Sequence, residues 1–276
     1  MGWEYIKNMA TRTIKEWSED NSITYSAALA FYFVLSLPPL LLFSVSIGSI
    51  FLKSENIQGV IINYLQGVVD ESVINMIIVL FKNIPETSSL TISALISFAL
   101  LLWSASNIFR QLKNFLEKAW DIKPAESNTI KVFIRDTVLS SIIVLFFGGL
   151  LVMSIIVEGI VHLASSMLSG ILPFPPVIAN YASSIASFII LVLFFMLAYK
   201  ILPDKSFNFK SIFVGSIVTV ILITVGKYAV GLLLAYSNPV SVYGAIGAVI
   251  GLFLLIFYSS IMITIGVEFT KVYSES

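Results

Sequence analysis

The side chains able to do chemistry in this sequence are few, and most of them stand inside long apolar runs. Lys227 lies about 16 residues, or ~24 Å of helix, past the start of such a run at Ser211. An ammonium at that depth must either find an anion or stretch toward the headgroups. Glu158, near the outer end of another run, is expected at a similar depth and is the candidate partner. His162 follows Glu158 by one helical turn, so the two could make half a metal site or a proton relay. With one His, no Cys and no further carboxylate nearby, no metal site and no cofactor is expected. Glu268, close to the inner end of the last apolar run, is expected too far toward the opposite face to pair with Lys227. Two readings of Lys227 stand: a structural or snorkelling lysine, or a charge lining a path for an anionic headgroup or a coupling ion.

The other candidate lies in the first apolar run, Tyr25 to Leu52, which Ser36-Leu37-Pro38-Pro39 interrupts at its middle. Each proline removes an amide donor and crowds the carbonyl one turn earlier, which leaves the carbonyls of Val34 and Leu35 to find new partners. Irregular backbone at membrane depth persists only where protein or a watery cavity surrounds it, so this segment is expected inside a bundle. Tyr32, Ser36, Ser44 and Ser46 are the hydrogen-bonding side chains at hand. A kink satisfied by these serines and a break that opens a binding site are both compatible with the sequence.

The elements that must position these groups follow from hydropathy. The chain has 276 residues, 58% of them hydrophobic and 12% charged, with a mean hydropathy of +0.96, which is more apolar surface than one soluble core can hide. An all-α, polytopic membrane protein is expected, forming a single membrane domain over residues 1–276. Trp3, Ile6, Ala10, Ile14 and Trp17 recur at spacings of three and four in residues 1–20, with charges elsewhere on the wheel, which predicts an interfacial helix. Asn21 or Ser22 is placed to cap the first span. No small-residue cleavage site follows, so this segment is expected to remain in the protein.

Residues 53–88 read as two short amphipathic helices, a hairpin on the outer surface that packs over the bundle or serves as a lid or docking face for an envelope partner. Neither half reaches the about 20 apolar residues that a ~30 Å hydrocarbon core requires. The second span, Ser89 to Trp103, continues as an amphipathic helix within residues 104–136 that is expected to turn along the inner surface. Its apolar face is Ile108, Leu112, Phe115, Leu116, Ala119 and Trp120; Arg110, Lys113, Glu117 and Lys118 form the other. Further spans are expected at Thr137 to His162, Val177 to Leu202, Ser211 to Tyr236 and Tyr243 to Phe269. Gly244, Gly247 and Gly251, with Gly215, Gly226 and Gly231, mark small-residue seams on the last two.

Of the 16 basic residues, all but Lys53, Lys82 and Lys227 fall in the segments before the first span, after the second and fourth, and at the tail. Basic residues beside short loops stay in the cytoplasm, so six spans with both termini cytoplasmic are expected, in a plasma membrane. Acidic residues also number 16, so net charge offers no pull on nucleic acid. No internal repeat is visible, since the fourth span has no counterpart of the proline pair.

Ala28-Leu29-Ala30-Phe31-Tyr32, Leu35-Ser36-Leu37-Pro38-Pro39, and Trp103-Ser104-Ala105-Ser106 with Leu112, Asn114 and Trp120 together resemble the YihY/BrkB family of bacterial inner-membrane proteins. Tyr199 with Leu202-Pro203, Gly226-Lys227, Tyr243-Gly244 and Gly266-Val267-Glu268 extend the resemblance to the last span. The resemblance implies six spans with cytoplasmic termini and directs attention to Ser36 to Pro39, Lys227 and Glu268. It also brings a ribonuclease BN label and a virulence-factor label. The residues here do not support a ribonuclease, for want of a metal-ligand cluster and of a basic soluble domain to hold RNA.

The expected function is transport: movement or handling of a lipid or other amphiphilic anion, with membrane lipids as partners and no enzymatic activity. A small-solute or ion permease using Lys227 and Glu158, and a non-transporting envelope scaffold, are the alternatives. Lipid handling predicts a lateral opening lined by hydrocarbon; a permease predicts a closed polar vestibule.

Overall fold

The computed structural model describes residues 2–52, 59, 62, 74–75, 77–78, 90–122, 176–237 and 239–276. The third expected span with Glu158 and His162, and nearly all of the outer hairpin, lie outside the described residues. Six helices run through the remainder: α1 (Gly2–Glu19), α2 (Ser22–Leu52), α3 (Leu90–Ala119), α4 (Pro176–Ile201), α5 (Phe209–Ser237) and α6 (Pro239–Ser274). No strand occurs among the described residues. Stretches of α2, α3, α5 and α6 are each long and apolar enough to cross a membrane, and α4 contributes a shorter apolar stretch, Ser187–Ile201.

Helix α2 packs on α3 and α6, α5 on α6 and α4, and α1 lies against α6. The core gathers toward one end of the bundle, around Leu29, Phe115, Leu116, Tyr199, Ile212 and Val267. Aromatic rings close it: Trp120 stands 4.7 Å from Phe207 and 6.0 Å, edge-on, from Tyr199. Toward the other end, large apolar side chains such as Leu95, Ile185, Val225 and Leu232 are more than half exposed. In water such a belt would drive aggregation; among acyl chains it costs nothing.

Two tight turns shape the core end. Helix α1 ends where Asn21 takes φ 53°, its amide bonding Ser18 O at 3.3 Å, and α2 begins at the next residue. Asn is among the few residues that adopt this left-handed conformation at little cost. Helix α3 ends the same way. Asp121 has φ 52°, its amide bonds Lys118 O at 3.2 Å, and the Ile122 amide reaches back to Glu117 O at 2.8 Å. This is a Schellman closure, and it aims the Asp121 side chain across the end of the bundle.

Three expectations change. Helix α2 is continuous from Ser22 to Leu52, so of the two readings of Pro38 and Pro39 the break gives way and the prolines within a helix remain. The Ser36 hydroxyl bonds Phe33 O at 2.6 Å, one carbonyl short of the two that the prolines deprive. Helix α3 passes Trp103 without interruption, and its second half is packed into the core rather than laid along a surface, with Phe115, Leu116 and Ala119 fully buried. Finally, Lys113 does not face outward with the other charges. It is buried, with Nζ 3.1 Å from Asp204 and 3.5 Å from Glu117, because the loop after α4 brings an anion over it.

Candidate functional site

Where α2 leaves the core end it meets the far end of α6. Ser22 and Ser26 are four residues apart on α2, and Thr264 and Glu268 four apart on α6, so each pair occupies one helical face. The helices run antiparallel and the pairs interlock. Ser22 Oγ donates to Glu268 Oε1 at 3.3 Å, and Ser26 Oγ and Thr264 Oγ1 are 2.8 Å apart. From α1, Trp17 Nε1 donates to the same Thr264 Oγ1 at 2.9 Å. Ser22, Ser26, Thr264 and Glu268 are all buried. Glu268 Oε2 has no hydrogen-bond partner among the described residues.

A shell of ion pairs surrounds this node. Lys271 Nζ is 3.0 Å from Glu16 and 2.7 Å from Asp121, which ties α6 to α1 and to the end of α3. Lys118 Nζ is 3.0 Å from Asp20, Arg12 lies 3.5 Å from Glu16, and Arg12 also pairs with Glu275. The Lys271 hydrogen bond, reinforced by its charge and that of Arg12, holds the Glu16 carboxyl below the ordinary carboxylate range against the opposing effect of burial.

Helices α5 and α6 interlock through a repeated Gly-x-x-x-Thr pattern. A side chain at Gly215 would stand 2.8 Å from Thr270 Cβ, and one at Gly266 would stand 2.8 Å from Thr219 Cβ. Each threonine turns its hydroxyl back to its own helix, Thr219 to Gly215 O and Thr270 to Gly266 O, both at 2.8 Å. Tyr199 of α4 closes the group with its hydroxyl 2.9 Å from Thr219 Oγ1. The expected thinning at Gly215 and Gly226 is present, the latter facing Met262, while Gly266 completes a seam not read from spacing.

Beside the seam, α1 stops short of filling the space over α5 and α6. A half-open groove of about 410 Å³ remains, walled by Ile6, Ala10 and Ile14 of α1, Val218 and Leu222 of α5, and Phe269 of α6, among others. Thr13 is its principal polar side chain, and that hydroxyl is taken up by Met9 O at 2.9 Å. The lining is therefore hydrocarbon in effect, suited to an alkyl chain and offering nothing to a hydrated solute. A second cleft, about 490 Å³ and of mixed lining, lies between Trp120 to Ile122 and Asp204 to Phe207.

Among the described residues, those singled out from the sequence are not brought together. Tyr32 and Ser36 lie on the inward face of α2, Pro39 is half-buried and Pro38 exposed. Lys227 sits on an exposed stretch of α5, and its expected partner Glu158 is outside the described residues. Glu268 is on α6 beyond Met262, which packs at the level of Gly226, so about two helical turns, ~10 Å, separate it axially from Lys227. Of the expected site residues, Glu268 joins a polar cluster. Of the two proposed caps, Ser22 turns its hydroxyl to Glu268 instead.

Apolar helices with an outward hydrocarbon belt and their charges paired at one end define a multi-pass helical membrane protein. The chain belongs to the family whose model is described as virulence factor BrkB, matched over residues 13–276. It is 28% identical over 253 residues to the putative ribonuclease-like protein YfkH of Bacillus subtilis strain 168, covering 88% of this chain and 86% of that protein. It is also 28% identical to UPF0761 membrane protein PSHAa0171 of Pseudoalteromonas translucida, over 91% of this chain and 81% of that one. A UPF0761 membrane protein of Tolumonas auensis is 24% identical over 70% of this chain and 60% of its own. No solved structure matches the chain.

Proposed function

We propose that this protein is of transport type and handles a lipid or other amphiphilic anion whose alkyl chain enters the groove between α1, α5 and α6. The observation that carries the reading is the hydrocarbon lining of that groove together with its open side, the arrangement that lipid handling requires and a solute vestibule does not. Its position differs from the expected one at Pro38 and Pro39. The amphiphile is an anion because the adjoining loops concentrate the chain's basic residues. The membrane is the plasma membrane and the chain crosses it six times, with both termini in the cytoplasm. The pairing of Arg12 with Glu275 and of Lys271 with Glu16 supports an even number of crossings, since it joins the first helix to the last residues. Envelope partners at residues 53–88 belong to the same reading, and the ribonuclease-like name stays with YfkH.

The test is photolabelling in nanodiscs with a phosphatidylglycerol carrying a diazirine near the end of one acyl chain. Labelling is expected to concentrate on α1, α5 and α6 groove residues and to fall severalfold in Ala10→Trp, which fills the groove. Labels spread evenly over the outward belt, unchanged by Ala10→Trp, would refute the reading.

A further inference from the structure

Glu268 poses a problem of charge. Its side chain is wholly buried, and no lysine or arginine among the described residues is paired with it. The nearest cation along its own helix, Lys271, acts on Glu268 through its charge without pairing with it, and is held by Glu16 and Asp121 at 3.0 and 2.7 Å. The other charges that bear on it are Asp20 and Glu16, both negative, and Lys118 is bound to Asp20 at 3.0 Å. Ser22 supplies one hydroxyl hydrogen bond to Oε1, and the amino end of α2, which begins at that serine, adds its partial positive charge. Neither reaches Oε2. A buried carboxylate satisfied on one oxygen only, and facing two further carboxylates, is neutralised in one of three ways: by a basic side chain, by a proton, or by a bound cation. Among the described residues, no basic side chain pairs with it.

We propose that Glu268, with Ser22, Ser26 and Thr264 around it, forms a binding site for one monovalent cation, a proton or a sodium ion. Every donor in the cluster is an oxygen: two of carboxylate, three of hydroxyl, and the Ser22 carbonyl that Ser26 already contacts at 2.9 Å. Such a set suits a hard cation and disfavours the softer transition metals. A single carboxylate balances a single positive charge, which selects a monovalent ion over a divalent one. The site also has a mechanical connection. Thr264, which bonds Ser26, accepts the indole hydrogen bond of Trp17, so occupancy at Glu268 is felt by α1, one wall of the groove. The site stands on its own geometry and does not require that the groove take a lipid.

The experiment uses the full chain in nanodiscs and no lipid substrate. Thermal stability and tryptophan emission are followed in sodium chloride against choline chloride at equal ionic strength, at pH values from 5 to 9, alongside infrared spectra in the carboxylic acid region. A sodium-specific rise in Tm at alkaline pH identifies sodium. A pH-dependent Tm without sodium preference, with a carboxylic acid band that Glu268→Gln removes, identifies a proton. Either result supports the site, and Glu268→Gln is expected to abolish the dependence. No ion or pH dependence, or a dependence and band that survive in Glu268→Gln, overturns it. Should Glu268→Gln fail to fold, Ser22→Ala decides: the midpoint is expected to shift about tenfold in sodium or about one pH unit, the size of a hydrogen bond to a charged group. An unmoved midpoint counts against the site.

Discussion

At Gly215 and Gly266 the absence of one carbon sets how close two helices come. The atoms that an added Cβ would meet belong to Thr270 and Thr219, whose rotamers are held by hydrogen bonds to their own helices. Neither threonine can yield without losing that bond, and Thr219 would also leave Tyr199. Gly215→Ala and Gly266→Ala are therefore expected to cost about 1–3 kcal/mol each through overpacking, seen as a clear fall in Tm in detergent. Gly226→Ala is the internal control: its new carbon would lie 3.2 Å from the Met262 side chain, which is flexible and can move aside. Equal losses at all three positions would show that the seam is not the tight contact. The glycines themselves were visible in the sequence, but their partners were not. A threonine or serine in an apolar helix most often bonds back to its own turn, as Ser104, Thr224, Ser259 and Ser260 do here. Ser22, Ser26 and Thr264 share that composition, and only the antiparallel meeting of α2 with α6 distinguishes them. Glu268 was legible because a carboxylate in an apolar run is conspicuous; its neighbours were not.

Among the helices, α2 shows how far a local rule extends. Hydropathy locates it and proline chemistry marks its middle, yet the helix continues through Pro38 and Pro39. The rule is correct about the missing amides and silent about the packing of α2 on α3 and α6, which holds the helix on its course. Pro38 is on the exposed face. Pro38→Ala restores a donor for the Val34 carbonyl, and it is expected to leave the fold intact and raise the Tm. A lowered Tm would mean that the proline geometry is itself built into the packing of α2 on α3. The same contrast holds for α3. Its apolar stripe from Ile108 to Trp120 was readable by periodicity, and all of those residues are buried. That the stripe faces the core rather than a membrane surface depends on α4 and the loop after it, where Asp204 pairs with Lys113.

Across the whole molecule, sequence-distant charges converge on one end: Lys118 with Asp20, Lys113 with Asp204, and Lys271 with Glu16 and Asp121. The clustering of basic segments was legible from loop positions. The pairs were not, because the Lys271 to Glu16 contact spans 255 residues and no local pattern encodes it. Lys271 joins α6 at once to α1 and to the end of α3, and α1 forms one wall of the groove. Lys271→Met should therefore loosen α1 without dismantling the bundle: proteolysis within residues 2–19 becomes faster, and Trp17 emission moves to the red as its bond to Thr264 is lost. Acid should do the same to the unmodified protein. Glu16 has its carboxyl held below the ordinary value of 4.5, so its contribution is present in full above that pH and is lost as the pH falls through the lower, folded-state value. The α1-specific proteolysis of the wild type should thus rise below about pH 4.5, while Glu16→Gln shows the fast rate already at neutral pH and changes little on acidification. If Glu16→Gln and the wild type respond alike to acid, α1 is held by its apolar face alone, through Met9 and Trp17, and the ion pairs at this end only decorate a contact that burial has already made.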